Sequence, residues 1–387
     1  MKRIEYILLF AMLLFTSCEK EQAPADWDKW PISYGYMQFS TSVTSRAQLT
    51  TDMKSKNFGV LGYQYAKTTT WSTAKSLATP SVFYNQPVAC GSGGVCTYDT
   101  DAVQAGNQPK PWEDNVYSFF AYYPYNGTGI TLSADTKTNT PTLTYTYGWM
   151  GQNGNISVYD SGSTIFDLMT AEAIDVNGSG EGRVPLNFKH RLFAFEVLAN
   201  NYNENEYEKN PDGTFKLDAE GNKTITVDAG QNITNLTLTL EGLTNTAMTI
   251  PLSMQSGEAD PEYTVGTVGM RTFKISDETL RIPAFNETTS DGRGEGVATS
   301  ISRLGSANGG YLMLIPQAGT NSGVKGTLNW VELTNFSGDV NKEFTSTIDF
   351  EPGKLYQIYI NFVGSGITIA LIEAGAWDVL DVEHKFE

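Results

Sequence analysis

Along much of the chain, apolar and polar residues alternate with a period of two, the spacing of a strand with one face on a core. In YMQFSTSV, Met37, Phe39, Thr41 and Val43 take one face while Gln38, Ser40 and Ser42 take the other. ITNLTLTLEGL sets Ile233, Leu236, Leu238 and Leu240 among Thr and Asn. The step from Ile233 to Leu236 breaks the period and predicts a small irregularity where a strand begins. GKLYQIYINF gathers Tyr356, Ile358, Ile360 and Phe362 on a strongly apolar face opposite Leu355, Gln357, Tyr359 and Asn361. Only residues 114–121 offer a helical alternative, and their aromatics favour a strand. The pattern predicts an all-β protein.

Turn signals divide the strands. DVNGSGEGR, residues 175–183, is polar and rich in Gly between two apolar runs, which predicts a domain junction. The expected domains are residues 35–183 and 184–387, and 387 residues are enough for two cores. Residues 200–224 are polar and carry Pro211-Asp212-Gly213 and Glu220-Gly221-Asn222, the marks of a long exposed hairpin. Their oxygen ligands do not fall at EF-hand spacing, so a solvated insertion is expected there. SDGRGEGVATS, residues 290–300, reads as a surface loop and lacks the phosphate-binding fingerprint. Gly 37, Tyr 20 and Phe 19 suit a β protein with many turns.

The chain opens differently. Lys2 and Arg3 precede an apolar run, residues 6–15, far shorter than the roughly 20 residues that span a bilayer. Residues 1–17 therefore read as a signal peptide. Thr16 and Ser17 stand immediately before Cys18, which resembles the lipobox of bacterial lipoproteins, although Phe15 is bulkier than that motif prefers. The resemblance implies cleavage before Cys18 and acylation of its sulfur and new amino group. Two or three long chains, at about 0.8 kcal/mol per buried CH₂, hold a protein on a membrane where one does not. The alternative is an ordinary cleavable signal that leaves the thiol free. Residues 18–34 would be the tether, and Glu19, Lys20 and Glu21 resemble the charged collars that accompany surface export of lipoproteins in Bacteroides-like bacteria. The expected location is the outer membrane, facing outward.

Charge and cysteine content narrow the chemistry. With 26 Lys and Arg against 43 Asp and Glu, the net charge of −17 repels phosphate backbones, so no nucleic acid partner is expected. Besides Cys18 there are only Cys90 and Cys96, in CGSGGVC, and export carries them to an oxidising compartment where a local disulfide is expected. A metal site would need more ligands than two cysteines, and no His stands near them. No cofactor is expected.

Catalytic motifs are missing: there is no G-x-S-x-G, H-E-x-x-H, Walker motif or C-x-x-C. Of the two His, His384 lies near the C-terminal end, and His190 falls on the face of Leu186, Phe188 and Leu192, where a buried His bonded to a nearby backbone group is expected. The carboxylates are numerous enough to hide a glycosidase pair, which leaves a hydrolase open as one alternative. A second alternative is a monomeric glycan-binding surface lipoprotein, since seven Trp and many Tyr could stack on sugars. Clusters such as VYSFFAYYPY favour core instead, and Trp27 and Trp30 are the expected exposed exceptions.

Taken together, FGVLGY (58–63), YSFFAYYP (117–124), DLMTAEA (167–173), VPLNFKHRLFAFEV (184–197), YLMLIPQ (311–317), FEPGKLYQIYINF (350–362) and AGAWD (374–378) resemble the fimbrillin family, the lipoprotein pilins of Bacteroidales. The resemblance implies two transthyretin-like β-sandwich domains in tandem and a non-enzymatic, surface-anchored fimbrial subunit. Its partners would be other fimbrial subunits, including copies of itself, and a host or bacterial surface ligand. It further implies proteolytic processing at Arg46, in TSVTSRAQ, and a donor strand with Ile367, Ile369 and Leu371 alternating on one face. The alternative for Arg46 is a charged loop residue. The tail after Trp377, DVLDVEHKFE, does not fit the family pattern.

Overall fold

A computed structural model of the chain describes residues 37–43, 53–92, 96–98, 110–133, 142–146, 167–178, 183–234, 236–241, 243, 245–252, 261–266, 271–274, 279–287, 299–300, 312–317, 324–329, 332–333, 341–346 and 350–373. Cys18, Trp27, Trp30, Arg46, Trp377 and His384 lie outside the described residues.

The first half contains β1 (Gln38–Val43), β2 (Asn57–Tyr65), the short helix α1 (Trp71–Ala74), β3 (Phe83–Cys90), β4 (Cys96–Tyr98) and β5 (Val116–Tyr123). Then come β6 (Ile130–Leu132), β7 (Thr142–Thr146), β8 (Met169–Asn177) and β9 (Arg183–His190). The second half begins with β10 (Phe193–Asn201), β11 (Glu206–Tyr207), β12 (Ile225–Val227), β13 (Gln231–Thr234), β14 (Thr237–Glu241), β15 (Asn245–Pro251) and β16 (Glu262–Val265). It continues through β17 (Arg271–Lys274), β18 (Leu280–Ile282), β19 (Thr299–Ser300), β20 (Leu312–Leu314) and β21 (Val324–Asn329). β22 (Glu332–Leu333), β23 (Asn341–Ser346), β24 (Leu355–Val363) and β25 (Gly366–Glu373) complete it. The all-β reading holds.

The first sheet closes on itself in the order β1-β4-β3-β2-β5-β8-β9, with β9 returning to β1. Its interior is filled by Met37, Phe39, Phe58, Val60, Phe119, Leu186 and Phe188. β2 and β5 are apolar on both faces for a reason: Leu61, Tyr63, Phe120 and Tyr122 point outward and pack with Phe193, Phe195, Tyr356 and Ile358 in a second core. Gly59 and Tyr122 are register partners, and any Cβ at Gly59 would come within 2.4 Å of the Tyr122 ring.

The second half is built around β10 and β24, which run parallel from Ala194↔Leu355 to Asn201↔Phe362. β14, β17, β21 and β23 form one further sheet, and β13, β18 and β22 another. The period break between Ile233 and Leu236 is therefore larger than the expected irregularity. β13 and β14 pair with different neighbours, so the chain changes sheet there.

Three pairings cross the expected domain division. β9 opens the stretch assigned to the second domain, yet it is hydrogen-bonded to β1 and β8 in the first sheet. β7 pairs with β15 over five residues, from Ala247↔Thr146 to Pro251↔Thr142. The Gly-rich stretch 175–183 links the adjacent strands β8 and β9, because such composition marks a chain reversal whether or not a domain ends there.

The polar insertion is a folded arm rather than one hairpin. β11 and β12 pair at its base, and Lys209↔Phe215 and Leu217↔Lys223 bridge it further out. Gly213 and Gly221 make the two expected turns at φ of 85° and 89°, a region that other residues rarely enter.

Candidate assembly interface

β1 closes the barrel at a seam. On one side it runs parallel to β9 through six register pairs, Gln38↔Arg183 to Val43↔Phe188. On the other it meets β4 at a single pair, Phe39↔Cys96. The alternation in YMQFSTSV accounts for its seating, since Met37 and Phe39 are buried and Thr41 is only partly so. The Phe39 ring meets those of Phe58 at 6.3 Å, Phe83 at 6.1 Å and Phe119 at 5.7 Å. Burying one such side chain is worth about 1.5–3 kcal/mol. Without β1, the facing edges of β9 and β4 would lose their partners beside an apolar groove, a costly state that another strand relieves.

Cys90 and Cys96 are register partners of β3 and β4 and are joined as a disulfide, with Cα atoms 3.9 Å apart. Both are buried inside the barrel. The Cys96 sulfur lies 3.7 Å from the Thr41 hydroxyl, so the bridge sits directly beside β1.

Ile367, Ile369 and Leu371 fall in β25, which forms an antiparallel hairpin with β24 through Phe362↔Ile367, Ile360↔Ile369 and Ile358↔Leu371. They are half-buried against the second core. β25 ends the ladder β19-β10-β24-β25. The turn before it is bracketed by Asn203, whose amide donates to the Gly364 carbonyl (3.2 Å) and whose Oδ1 accepts from the Gly364 N–H (2.7 Å). Lys354 pairs with Glu373 at the far end, and hydrogen bonding to that carboxylate raises the ammonium pKa. The structure thus brings the cysteines and β1 together and holds β25 in a separate sheet.

His190 is buried on the face of Leu186 and Phe188, as expected. Its Nδ1 lies 2.8 Å from the carboxylate of buried Asp167. Met169↔His190 pairing brings the residues just before β8 beside the end of β9, a proximity that local sequence does not show. Among the described residues, no cluster of three or more His, Cys, Asp or Glu is placed to hold a metal ion. Trp71 and Trp112, the described tryptophans, are buried and offer no platform for sugars.

Sequence reasoning missed Asp175. At a φ of 55°, its Oδ1 accepts from the Trp71 N–H at 2.7 Å and from the Tyr65 hydroxyl at 2.5 Å. Burial, and then this carboxylate, raise the Tyr65 phenol above its ordinary pKa. One side chain thereby fixes the first turn of α1 against β8. The only available signal was the short polar stretch after an apolar strand.

Among solved structures, the chain is similar to a fimbrial protein from Bacteroides vulgatus, with 16% identity, a TM-score of 0.51 and coverage of 88% of this chain and 99% of that one. It is also similar to a candidate cell adhesion protein from Bacteroides ovatus, with 13% identity, a TM-score of 0.50 and coverage of 88% and 96%. These likenesses show a shared fold. No curated protein matches the chain at a significant level. The fimbrillin-like family model matches residues 45–377, most of the sequence. The chain belongs to the fimbrillin-like family.

Proposed function

We propose that this protein is a subunit of a surface fimbria, held on the outer membrane by lipid on Cys18 and joined to other subunits by strand exchange. Cleavage after Arg46 frees β1, and β25 of a neighbouring subunit enters the vacated seam with Ile367, Ile369 and Leu371 in the pockets of Met37 and Phe39. The contact is head to tail, so it extends into a filament rather than closing. The filament bears on adhesion to a host or bacterial surface, and no catalytic role is assigned.

The observation that carries this reading is the seat of β1. It is a short strand whose removal opens an edge on both sides of one apolar groove, and it ends three residues before Arg46. The family match over residues 45–377 supports the fimbrial-subunit part of the reading.

The test is brief digestion with an arginine-specific protease, followed by N-terminal sequencing and an unheated denaturing gel. A new terminus at Ala47 together with a ladder of resistant oligomers is expected. A clean cut at Arg46 that yields monomer alone would remove strand exchange from the reading.

A further inference from the structure

The seam that β1 fills is unequal on its two sides. Six register pairs join β1 to β9, whereas the single pair Phe39↔Cys96 joins it to β4. β4 itself is three residues long and has three register pairs with β3, from Val88↔Tyr98 to Cys90↔Cys96. A strand this short, paired by so few bonds, is poorly held by its ladder alone. The covalent bond falls on the very pair that faces β1. Cys96 is simultaneously the disulfide partner of Cys90, the register partner of Phe39 and the neighbour of the Thr41 hydroxyl.

We propose that the Cys90–Cys96 disulfide is a redox latch on this seam, holding β4 against β1 when oxidised and letting the β4 side open when reduced. Its significance for assembly rests on the strand-exchange reading above, since an open β4 side is where β1 departs and a donor enters. The reductant is a dithiol. Thiol–disulfide exchange passes two electrons and two protons from that dithiol to the two sulfurs, breaks the bond between Cys90 and Cys96, and closes the dithiol into its own disulfide. The two freed thiols are then small buried side chains with no bond across the hairpin, and β4 keeps only its three pairs with β3 and its one pair with β1. β9 is untouched by the change, so the loosening is confined to one side of β1.

Backbone amide exchange on the full chain in detergent, oxidised and then treated with dithiothreitol, tests this directly. Exchange across Gln38–Val43 and Cys96–Tyr98 should quicken on the order of tenfold on reduction, while β2, β5 and β24 keep their protection. Reoxidation should restore the slow exchange, and the double variant Cys90→Ala, Cys96→Ala should behave as the reduced protein in either solution. Unchanged exchange in β1 would overturn the latch. So would a loss of protection of equal size in β2, β5 and β24, which would make the bridge a general staple of the fold. The measurement uses uncleaved monomer and no donor strand, so its failure leaves strand exchange standing, and failure of oligomers to form leaves the latch standing.

Discussion

The ring of Phe39, in the first strand, meets the ring of Phe119, in the middle of β5, edge-on at 5.7 Å with an interplanar angle of 85°. This contact ties the start of the barrel to its centre across many residues of sequence. Phe39→Ala should therefore cost about 3–5 kcal/mol of stability, the range for emptying a buried aromatic site. Urea denaturation measures it, and a loss smaller than that of an exposed substitution such as Thr97→Ala would show that β1 contributes little to the core.

Gly59 should not tolerate even one methyl group. Its register partner is Tyr122, whose ring occupies the space a Cβ would need and whose hydroxyl donates to Asn85 Oδ1 at 2.6 Å. Gly59→Ala should destabilise by about 1–3 kcal/mol through overpacking. Combined with Tyr122→Ala the loss should be well below the sum of the two single changes, because one clash is removed by the other substitution. Additive losses would place the cause elsewhere.

Alkaline titration should expose the buried tyrosines as a late group. Burial, the foremost cause, pushes Tyr122 and Tyr356 up to about 12. Their folded values lie above the ordinary phenol value of about 10, so their contribution to stability is whole below about pH 10 and is lost as pH rises through the folded value. Tyrosinate absorbance followed together with near-ultraviolet circular dichroism should show some tyrosines ionising in the native protein and these two only as the native signal disappears. Complete ionisation with the native signal intact would contradict their burial.

Cys18→Ser should move the protein from the membrane fraction to the soluble one. Among the described residues no helix is long and apolar enough to cross a membrane, and the proposed lipid on Cys18 is the anchor that this substitution removes. Fractionation of expressing cells and labelling with a palmitate analogue read the outcome, and retention of the variant at the original level would remove the anchor from the proposal.

The strands were legible where one face alone is buried. β9 alternates exposed and buried through all eight residues, as VPLNFKH promised. β24 reads less well, since Gln357 and Asn361 look solvent-facing in sequence but are buried, donating to Glu196 and accepting from Asn200 respectively. The partners Glu196 and Asn200 both lie on β10, a strand paired with β24 but distant from it in sequence. The same limit hid the β7–β15 pairing and the placement of β9. The site residues divide similarly: CGSGGVC carries its own local geometry, whereas the single pair between Phe39 and Cys96 arises only from closure of the barrel.

The parallel pairing of β1 with β9 also sets how the molecule bears load. A pull applied at the N-terminal end of β1 and opposed from the C-terminal end of β9 acts along both strands, and it tries to slide one past the other. All the rungs from Gln38↔Arg183 to Val43↔Phe188 then resist together. An antiparallel partner loaded at those same ends would peel open one rung at a time. The β1–β9 side of the seam is thus arranged to resist tension drawn through it, with its rungs loaded together rather than in turn.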